Sequence, residues 1–227
     1  VRIELASLHD PELALPPAVA AQTLRADQSP LWAGPKGWQT SAHNPTVLDA
    51  ILNGKPHPVR AMYVSGVNIA VTYPDTHKVM AALNSLDFLA VASHNMTPTS
   101  EIADIVLPKT TGLEEEEVSL DPSAQIICYT NPVKKPENGA RSDFDFTTDL
   151  ARRLEKRGVE TRKFFPWETK AEFNEYLLGD EVDWALLKKQ GWAPFDFKLG
   201  NFDEAGFRSP SGKIELWSEL LDGIGVD

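Results

Sequence analysis

The feature that most constrains this chain is the alternation of short apolar runs with helical patterns between residues 45 and 108. Three runs are rich in strand-forming residues and short enough to be buried strands: residues 59–65, 87–92 and 105–107. A helical pattern precedes the first run, another separates it from the second, and a short turn separates the second from the third. Because this alternation is typical of a parallel sheet with covering helices, we predict an α/β fold.

Local start and stop signals set the predicted helix boundaries in this region. Asn44 can cap a helix and Pro45 suits its first position, while Gly54 can end it. These signals predict a helix at about residues 45–53. A second helix is predicted after Asp75, with apolar residues at helical spacing: Val79, Leu83 and Leu86.

The rest of the chain divides into an irregular lead-in and a looser, helical C-terminal part. We predict a proline-rich lead-in at 1–44, the sheet region at 45–145, and a helical extension and linker at 146–227. Further predicted elements are strands at 125–130 and 213–217 and helices at 147–157, 169–178 and 180–190. The helix at 147–157 is expected to present one apolar face: Phe146, Leu150 and Leu154.

The composition excludes several classes of function. Asp and Glu outnumber Lys and Arg by 33 to 22, so at a formal net charge of -11 no general affinity for nucleic acid or anionic membranes is expected. Cys128 is the single cysteine, so the chain cannot form an internal disulfide or hold an iron-sulfur cluster on its own cysteines. No apolar stretch is long enough for a membrane span, and we predict no direct membrane insertion.

Polar residues follow the first two predicted strands, at the edge where ligands bind in such sheets. Gly66 and Asn68 follow the first strand, where a glycine allows close approach to the backbone and an amide can donate and accept. The candidates after the second strand, which could contact a base or a ribose, are Ser93, His94 and Thr97. A structural interpretation is equally open, with a plain turn at Gly66, Thr97 and Thr99 as caps and His94 at the surface.

The remaining patterns indicate neither a metal site nor a nucleophile. Residues 114–117 are four adjacent glutamates, a pattern typical of a solvated loop rather than of ligands that converge on a cation. The five histidines show no metal-binding spacing: His9, His43, His57, His77 and His94. The G-x-S-x-G motif is absent, and Cys128 lies in an apolar run that favours an inert thiol. We therefore assign no metal ligand and no catalytic residue to this chain.

Three stretches carry a family resemblance in their order and spacing. They are residues 53–61 followed by 65–68, residues 96–108, and residues 206–219. The most specific segments are Ala-Asp-Ile-Val-Leu-Pro at 103–108 and Ser-Pro-Ser-Gly-Lys-Ile-Glu-Leu at 209–216. From about residue 45 to the end, the chain resembles the catalytic subunits of the dimethyl sulfoxide reductase family of molybdopterin oxidoreductases.

The resemblance implies a Rossmann-like domain that binds the guanosine part of a molybdopterin guanine dinucleotide carrying molybdenum or tungsten. The positions that match the family's cofactor turn and its threonine near the nucleotide are Gly66, Asn68 and Thr97. Ser93 stands where the family usually has an aspartate that reads guanine. His94 or Asn95 would then have to supply that contact without a carboxylate.

The resemblance also implies that this chain is an interior segment of a longer subunit. The family's four-cysteine motif for a 4Fe-4S cluster, its metal-ligating residue and its C-terminal barrel have no counterpart here, so the parent protein would hold them. The segment alone is expected to be inactive, with the remaining domains of the parent subunit as its first partners. Iron-sulfur electron-transfer and membrane-anchor subunits are further expected partners of the parent.

The function that the resemblance favours is a polysulfide or thiosulfate reductase of anaerobic respiration. Three alternatives stay open: a hydratase or transhydroxylase of the same family without net redox change, a non-catalytic interaction scaffold with this fold, and a nucleotide binder unrelated to molybdenum. Family members occur in the cytoplasm and outside it, so the compartment is left open as well.

Overall fold

The computed structural model describes most of the chain, including the whole region of alternating strands and helices. The described residues are 16–26, 42–121, 126–179, 182–194, 206–207, 209, 211–218 and 222–223. Within these ranges, a one-turn helix α1 (Pro17–Ala20) lies in the segment that the sequence predicts to be irregular. None of the helices in these ranges is long and apolar enough to cross a membrane.

The first sheet is parallel, as the alternation of strands and helices predicts. Its strands, which are adjacent in chain order, are β1 (Ala61–Ser65), β2 (Phe88–Ser93) and β3 (Ile105–Pro108). In the register of the sheet, Ser65 lies beside Ala92 and Pro108 lies beside Ser93. The carboxyl ends of all three strands therefore meet at one edge, and the predicted α/β fold class is confirmed.

Two helices cover one face of this sheet, α2 (Asn44–Asn53) and α4 (Thr76–Asn84). They pack on the strands through a core of buried apolar side chains: Leu48, Val64, Ile69, Val79, Ala82, Leu83, Leu89 and Val91. Helix α2 begins one residue before its predicted start and ends at Gly54, whose φ of 67° is the left-handed conformation that glycine adopts without strain. Asp75 caps α4 by accepting a hydrogen bond from the Lys78 backbone N–H.

Two one-turn helices follow β1 and β2 at the carboxyl edge of the sheet. They are α3 (Ile69–Thr72) and α5 (Pro98–Glu101). Helix α5 coincides with the short turn that the sequence predicts before the third strand. Helix α3 is not predicted, because four residues are too few to show helical periodicity.

The opposite face of the parallel sheet is apolar and partly open to solvent. Tyr63, Phe88 and Ile105 point to this face and are between 42% and 49% exposed. A groove of about 600 Å3 runs between this face and a long helix, α6 (Asp143–Glu155). Leu150 of α6 lines the groove and is 57% exposed.

The second sheet is antiparallel and joins segments that lie far apart in the chain. Its strands, in spatial order, are β4 (Glu117–Asp121), β5 (Ile126–Thr130) and β6 (Trp192–Pro194). The strand predicted at 125–130 corresponds to β5, whereas the sequence pattern predicts neither β4 nor β6. The sheet thus combines strands from both sides of residue 145, where the sequence places a domain boundary that stays a prediction.

Helix α6 differs from its sequence prediction in its start. It begins at Asp143 because Ser142 and Asp145 form a capping box, four residues before the predicted start. Its buried side chains are Thr148 and Ala151, while Leu150 stays exposed. The predicted start is wrong because the first turn alternates Asp143 and Asp145 with Phe144 and Phe146, so apolar residues at helical spacing could not locate it.

In the rest of the C-terminal part, the two predicted helices are confirmed and the predicted strand is wrong. Helix α7 (Lys170–Leu178) follows the predicted capping box of Thr169 and Glu172. Helix α8 (Trp184–Gln190) begins later than predicted, capped by the Asp183 side chain. Residues 213–217 form bends and irregular backbone rather than the predicted strand. Polar and apolar residues alternate in the sequence over 213–216, as they do in a strand, but within the described residues no neighbouring strand pairs with this segment.

Candidate functional site

A cleft of about 230 Å3 lies at the carboxyl edge of the parallel sheet, where all three strands end. Its lining contains all five residues that the sequence analysis selects: Gly66, Asn68, Ser93, His94 and Thr97. The lining is completed by Val67, Ala92, Asn95 and Lys109. Residues that are up to 43 positions apart in the chain therefore share one solvent-facing site.

Gly66 makes the turn that leaves β1 and enters the cleft. Its φ of 74° lies in the left-handed region, which a residue with a Cβ adopts only with strain. A Cβ at this position would meet only the Lys109 Nζ, at 3.9 Å, so space is not what requires a glycine. The backbone conformation of the turn requires it.

The side chain of Asn68 is oriented by a buried hydroxyl beneath it. The Thr99 Oγ1 accepts a hydrogen bond from the Ala70 backbone N–H at 3.1 Å and donates to the Asn68 Oδ1 at 2.7 Å. Thr99 is fully buried, and its hydroxyl proton needs an acceptor, which fixes the amide with Oδ1 toward Thr99. The Asn68 Nδ2 is left as the polar group that can donate to a molecule in the cleft.

Two of the predicted residues use their hydroxyls to shape the loop that follows β2. The Ser93 Oγ donates to the Asn95 backbone carbonyl at 2.8 Å, closing its own turn. The Thr97 Oγ1 accepts from the Ser100 backbone N–H at 3.1 Å and so caps α5. The structural interpretation that the sequence left open for Thr97 is therefore realised, while its side chain still lines the cleft.

His94 is an exposed residue whose ring has a defined hydrogen-bonding partner. Its Nε2 lies 2.7 Å from the Thr110 backbone carbonyl, which can only accept. The Nε2 must therefore carry a proton, and in the neutral ring the Nδ1 is an acceptor. Asn68 and His94 thus supply a side-chain donor and a side-chain acceptor to the cleft.

Lys109 is the residue of the cleft that the sequence analysis missed. It follows the last residue of β3, and its ammonium contacts Asp143 Oδ2 and donates to Ser65 Oγ at 3.2 Å. Ser65 in turn donates to Asp143 Oδ1 at 2.5 Å, so the three side chains form a closed network. The available signal was its position at the third strand end, next to the two strand ends that the sequence analysis used.

The Asp143 carboxylate stays ionised within this network. Partial burial acts to raise its pKa, but the hydrogen bonds from Lys109 and Ser65 and the positive charges of Lys109 and Lys170 outweigh it. The pKa of Asp143 therefore lies below its ordinary value of 3.8. At neutral pH the network combines a carboxylate with the ammonium of Lys109.

Comparison with known proteins identifies the family. The profile of the family described as "Molybdopterin oxidoreductase" matches residues 36–153, more than half of the chain and the whole of the cleft. The chain belongs to the molybdopterin oxidoreductase family. The resemblance inferred from the sequence is therefore confirmed.

Two relatives show how this molybdopterin oxidoreductase chain compares with longer proteins. It is 30% identical to the acetylene hydratase of Syntrophotalea acetylenica over 81% of this chain and 25% of that protein. It is 26% identical to the thiosulfate reductase molybdopterin-containing subunit of Salmonella typhimurium over 80% of this chain and 27% of that protein. The chain thus spans about a quarter of the length of these relatives.

The fold of this family member also agrees with a solved structure. The acetylene hydratase from Pelobacter acetylenicus superposes with a TM-score of 0.78 at 23% identity. The match covers 94% of this chain and 32% of that chain. The likeness supports the fold described above.

The four glutamates at 114–117 of this molybdopterin oxidoreductase chain are not the solvated loop that the sequence predicts. All four are partly buried, and each has its own partner: Thr111 for Glu114, Thr110 for Glu115, Asn174 for Glu116 and Lys170 for Glu117. The prediction is wrong because Lys170 and Asn174 contact this segment from 53 and 58 positions away, which the local sequence does not show. Among the described residues there is no group of three or more acidic, histidine or cysteine side chains that could hold a metal ion.

The carboxyl pKa values of Glu115 and Glu114 are shifted in opposite directions by their surroundings. Burial is the largest influence on Glu115 and, with the nearby charge of Glu117, raises its pKa above 4.5 despite the Thr110 hydrogen bond. The backbone and side-chain hydrogen bonds of Thr111 lower the pKa of Glu114 below 4.5. A raised carboxyl pKa favours the folded state at low pH, and this stabilisation is lost as the pH rises through the folded-state pKa.

Glu115→Gln is therefore expected to raise the melting temperature at pH 7 and to have a smaller effect at pH 4, because protonation of the wild-type carboxyl removes the charge that burial disfavours. Thermal unfolding at both pH values measures the difference. Glu114→Gln is the matched control and is expected to lower the melting temperature at pH 7, because its ionised form stabilises the fold above pH 4.5. A Glu115→Gln melting temperature that falls at pH 7 would contradict the assigned direction.

Proposed function

We propose that the cleft binds the guanosine part of a molybdopterin guanine dinucleotide. The observation that carries this proposal is that all five residues selected from the sequence line one cleft at the carboxyl edge of a parallel sheet. Ligands of open α/β sheets bind outside this edge. The metal and pterin supply the chemistry when bound, and the part of this chain is to hold and orient the nucleotide.

The polar groups of the cleft fit a guanine nucleotide. The Asn68 Nδ2 can donate to the carbonyl oxygen O6 of guanine, and the His94 Nδ1 can accept from its N–H groups. The lining of the described cleft includes no carboxylate that would repel a phosphate. The hydroxyls of Ser93 and Thr97 form hydrogen bonds within their own turns. The role we propose for these two residues is therefore to shape the cleft.

The expected result of a calorimetric titration is that the chain binds GDP at least about tenfold more tightly than ADP. Adenine lacks both the O6 acceptor and the N1 proton of guanine, so it leaves a polar group of the site without its partner. A tenfold ratio corresponds to about 1.4 kcal/mol, the size of one neutral hydrogen bond. His94→Ala is expected to remove most of this preference.

His77→Ala is the matched control, because His77 is an exposed histidine of α4 outside the cleft. It is expected to leave both affinities unchanged. Equal affinity for GDP and ADP, or a preference that survives His94→Ala, would contradict recognition of guanine by this cleft.

For the longer protein we propose a molybdenum- or tungsten-dependent reductase. The 26% identity to a thiosulfate reductase subunit supports the thiosulfate or polysulfide class that the sequence resemblance favours. That relative is named as a subunit, which supports the proposal of separate redox partners, including iron-sulfur electron-transfer and membrane-anchor subunits. A 4Fe-4S cluster belongs to the same proposal and would lie outside this chain, since Cys128 is its single cysteine.

A hydratase without net redox change is a second candidate, and one observation favours it. The identity to acetylene hydratase is 30%, against 26% to the thiosulfate reductase subunit. The two candidates separate by their need for electrons, since hydration consumes only water. Formation of acetaldehyde from acetylene by the longer protein supports the hydratase, whereas thiosulfate-dependent oxidation of a reduced dye supports the reductase.

A further inference from the structure

Lys109 occupies a fixed position at the carboxyl edge of the sheet. Its backbone N–H donates to the Ser93 carbonyl at 3.2 Å, and it forms a parallel bridge with Arg141. Its side chain is only 13% exposed, and its ammonium contacts Asp143 and Ser65. Both ends of this long side chain are therefore held, which reduces the conformational entropy that binding a ligand would remove.

The hydrogen bonds of this network leave one ammonium proton for a ligand. Lys109 has three N–H donors, of which one is directed at Asp143 and one at the Ser65 Oγ. The Ser65 proton goes to Asp143, so Ser65 accepts from Lys109 without competing for its protons. Within the described residues no third acceptor contacts the Lys109 Nζ, which lies beside the Gly66 turn in the lining of the cleft.

The charge of the cleft lining points to an anionic ligand. Lys109 is the one lysine, arginine, aspartate or glutamate among the residues that line the described cleft. Asp143 forms an ion pair with Lys109 but is not part of that lining. A negative group that enters the cleft thus meets an ammonium first, in a chain with a net charge of -11.

We propose that Lys109 is the phosphate-binding residue of the cleft and that Ser65 and Asp143 are positioning residues that hold its ammonium toward the ligand. The ligand class is a nucleoside diphosphate, whose phosphates would accept the third ammonium proton. The base would lie at Asn68 and His94. This inference rests on the proposed nucleotide-binding function and adds the group that distinguishes a nucleotide from a nucleoside.

A purely structural role for Lys109 makes a different prediction. An ion pair that only joins β3 to α6 would affect the stability of the fold and the affinity of every ligand to the same extent. A phosphate-binding lysine affects only ligands that carry phosphate. The comparison of a nucleotide with its nucleoside therefore separates the two roles.

The experiment is a calorimetric titration of the full chain with GDP, guanosine and inorganic pyrophosphate. Lys109→Met keeps the length of the side chain without its charge, and Lys109→Arg keeps the charge. Lys109→Met is expected to weaken GDP and pyrophosphate binding about 10- to 100-fold, the size of a charge-assisted hydrogen bond, and to change guanosine affinity less than about twofold. Lys109→Arg is expected to restore most of the GDP affinity.

Lys78→Met is the matched control, because Lys78 also pairs with an aspartate, Asp49, but lies on α4 outside the cleft. It is expected to leave all three affinities unchanged. Unchanged GDP affinity in Lys109→Met, or an equal loss for GDP and guanosine, would overturn the role of Lys109 while the proposed guanosine site stands.

Two further outcomes separate the inference from the proposed function. Pyrophosphate binding that depends on Lys109, in a chain that does not prefer GDP to ADP, supports the phosphate site and contradicts guanine recognition. Absence of binding of GDP and of pyrophosphate by the wild-type chain overturns both proposals.

Discussion

Leu89→Ala is expected to lower the free energy of unfolding of the chain by about 2–5 kcal/mol, the range for removing a buried leucine side chain from a core. Leu89 lies in β2, the central strand of the parallel sheet, and is 1% exposed. It belongs to the core that joins the sheet to α2 and α4. Alanine would leave a cavity in this core, because strands and helices relax only partly around it.

The measurement is urea unfolding followed by circular dichroism. Leu150→Ala is the matched control, since Leu150 is 57% exposed on α6 and alanine is a good helix former. It is expected to change the free energy of unfolding by less than about 0.5 kcal/mol. Similar losses in the two variants would contradict the assignment of the core to the helix-covered face.

The parallel sheet could be predicted from the sequence because its signals are local. Each strand is a short apolar run, and Gly54 and Asp75 mark helix ends within a few residues of the elements they belong to. The strand ends then follow directly, and with them Gly66 and Asn68. Parallel topology brings these ends together without any knowledge of side-chain contacts.

The second sheet could not be predicted in this way, because its pairing is not local. Strand β4 begins with Glu117 and contains Ser119, so it does not show as an apolar run. Strand β6 has three residues and pairs with β5 across more than sixty positions. Such pairings depend on tertiary packing, which periodicity does not report.

The charged network beside the cleft could not be predicted from the sequence either, because its residues also lie far apart in the chain. Lys109 is one of several lysines in the chain, and only the fold places Ser65 and Asp143 against it. Asp143 is separated from Lys109 by 34 positions and from Ser65 by 78. The role of Thr99 was missed in the same way, because its two partners, Asn68 and Ala70, lie about thirty positions earlier, at the start of α3.

Thr99→Val is the second change for which we expect a large effect, a loss of about 1–3 kcal/mol in the free energy of unfolding. Valine keeps the shape of threonine but cannot accept from the Ala70 N–H, which lies in the first turn of α3 and has no partner within that helix. Asn68, at the N-cap of α3, makes no capping side-chain bond, so the Thr99 hydroxyl serves as the cap from another element. The lost bond leaves a buried donor unsatisfied.

Thr99→Ser is the control that retains the hydroxyl, and Thr72→Val is the control for an exposed threonine. We expect Thr99→Ser to retain most of the stability that Thr99→Val loses. Thr72→Val is expected to change the free energy of unfolding by less than about 0.5 kcal/mol. Urea unfolding measures all three variants. A Thr99→Ser variant as unstable as Thr99→Val would show that the methyl group, and not the hydroxyl, carries the effect.

The same variants test whether Thr99 acts on the ligand through Asn68. Without the hydroxyl, the Asn68 amide loses the bond that directs its Nδ2 toward the cleft, so Thr99→Val is expected to reduce the preference for GDP over ADP. If Thr99 is a positioning residue, this loss disappears in an Asn68→Ala background, where no amide is left to orient. If the loss persists there, Thr99 affects the site through the fold of α3, and the donor assigned to Asn68 does not depend on it.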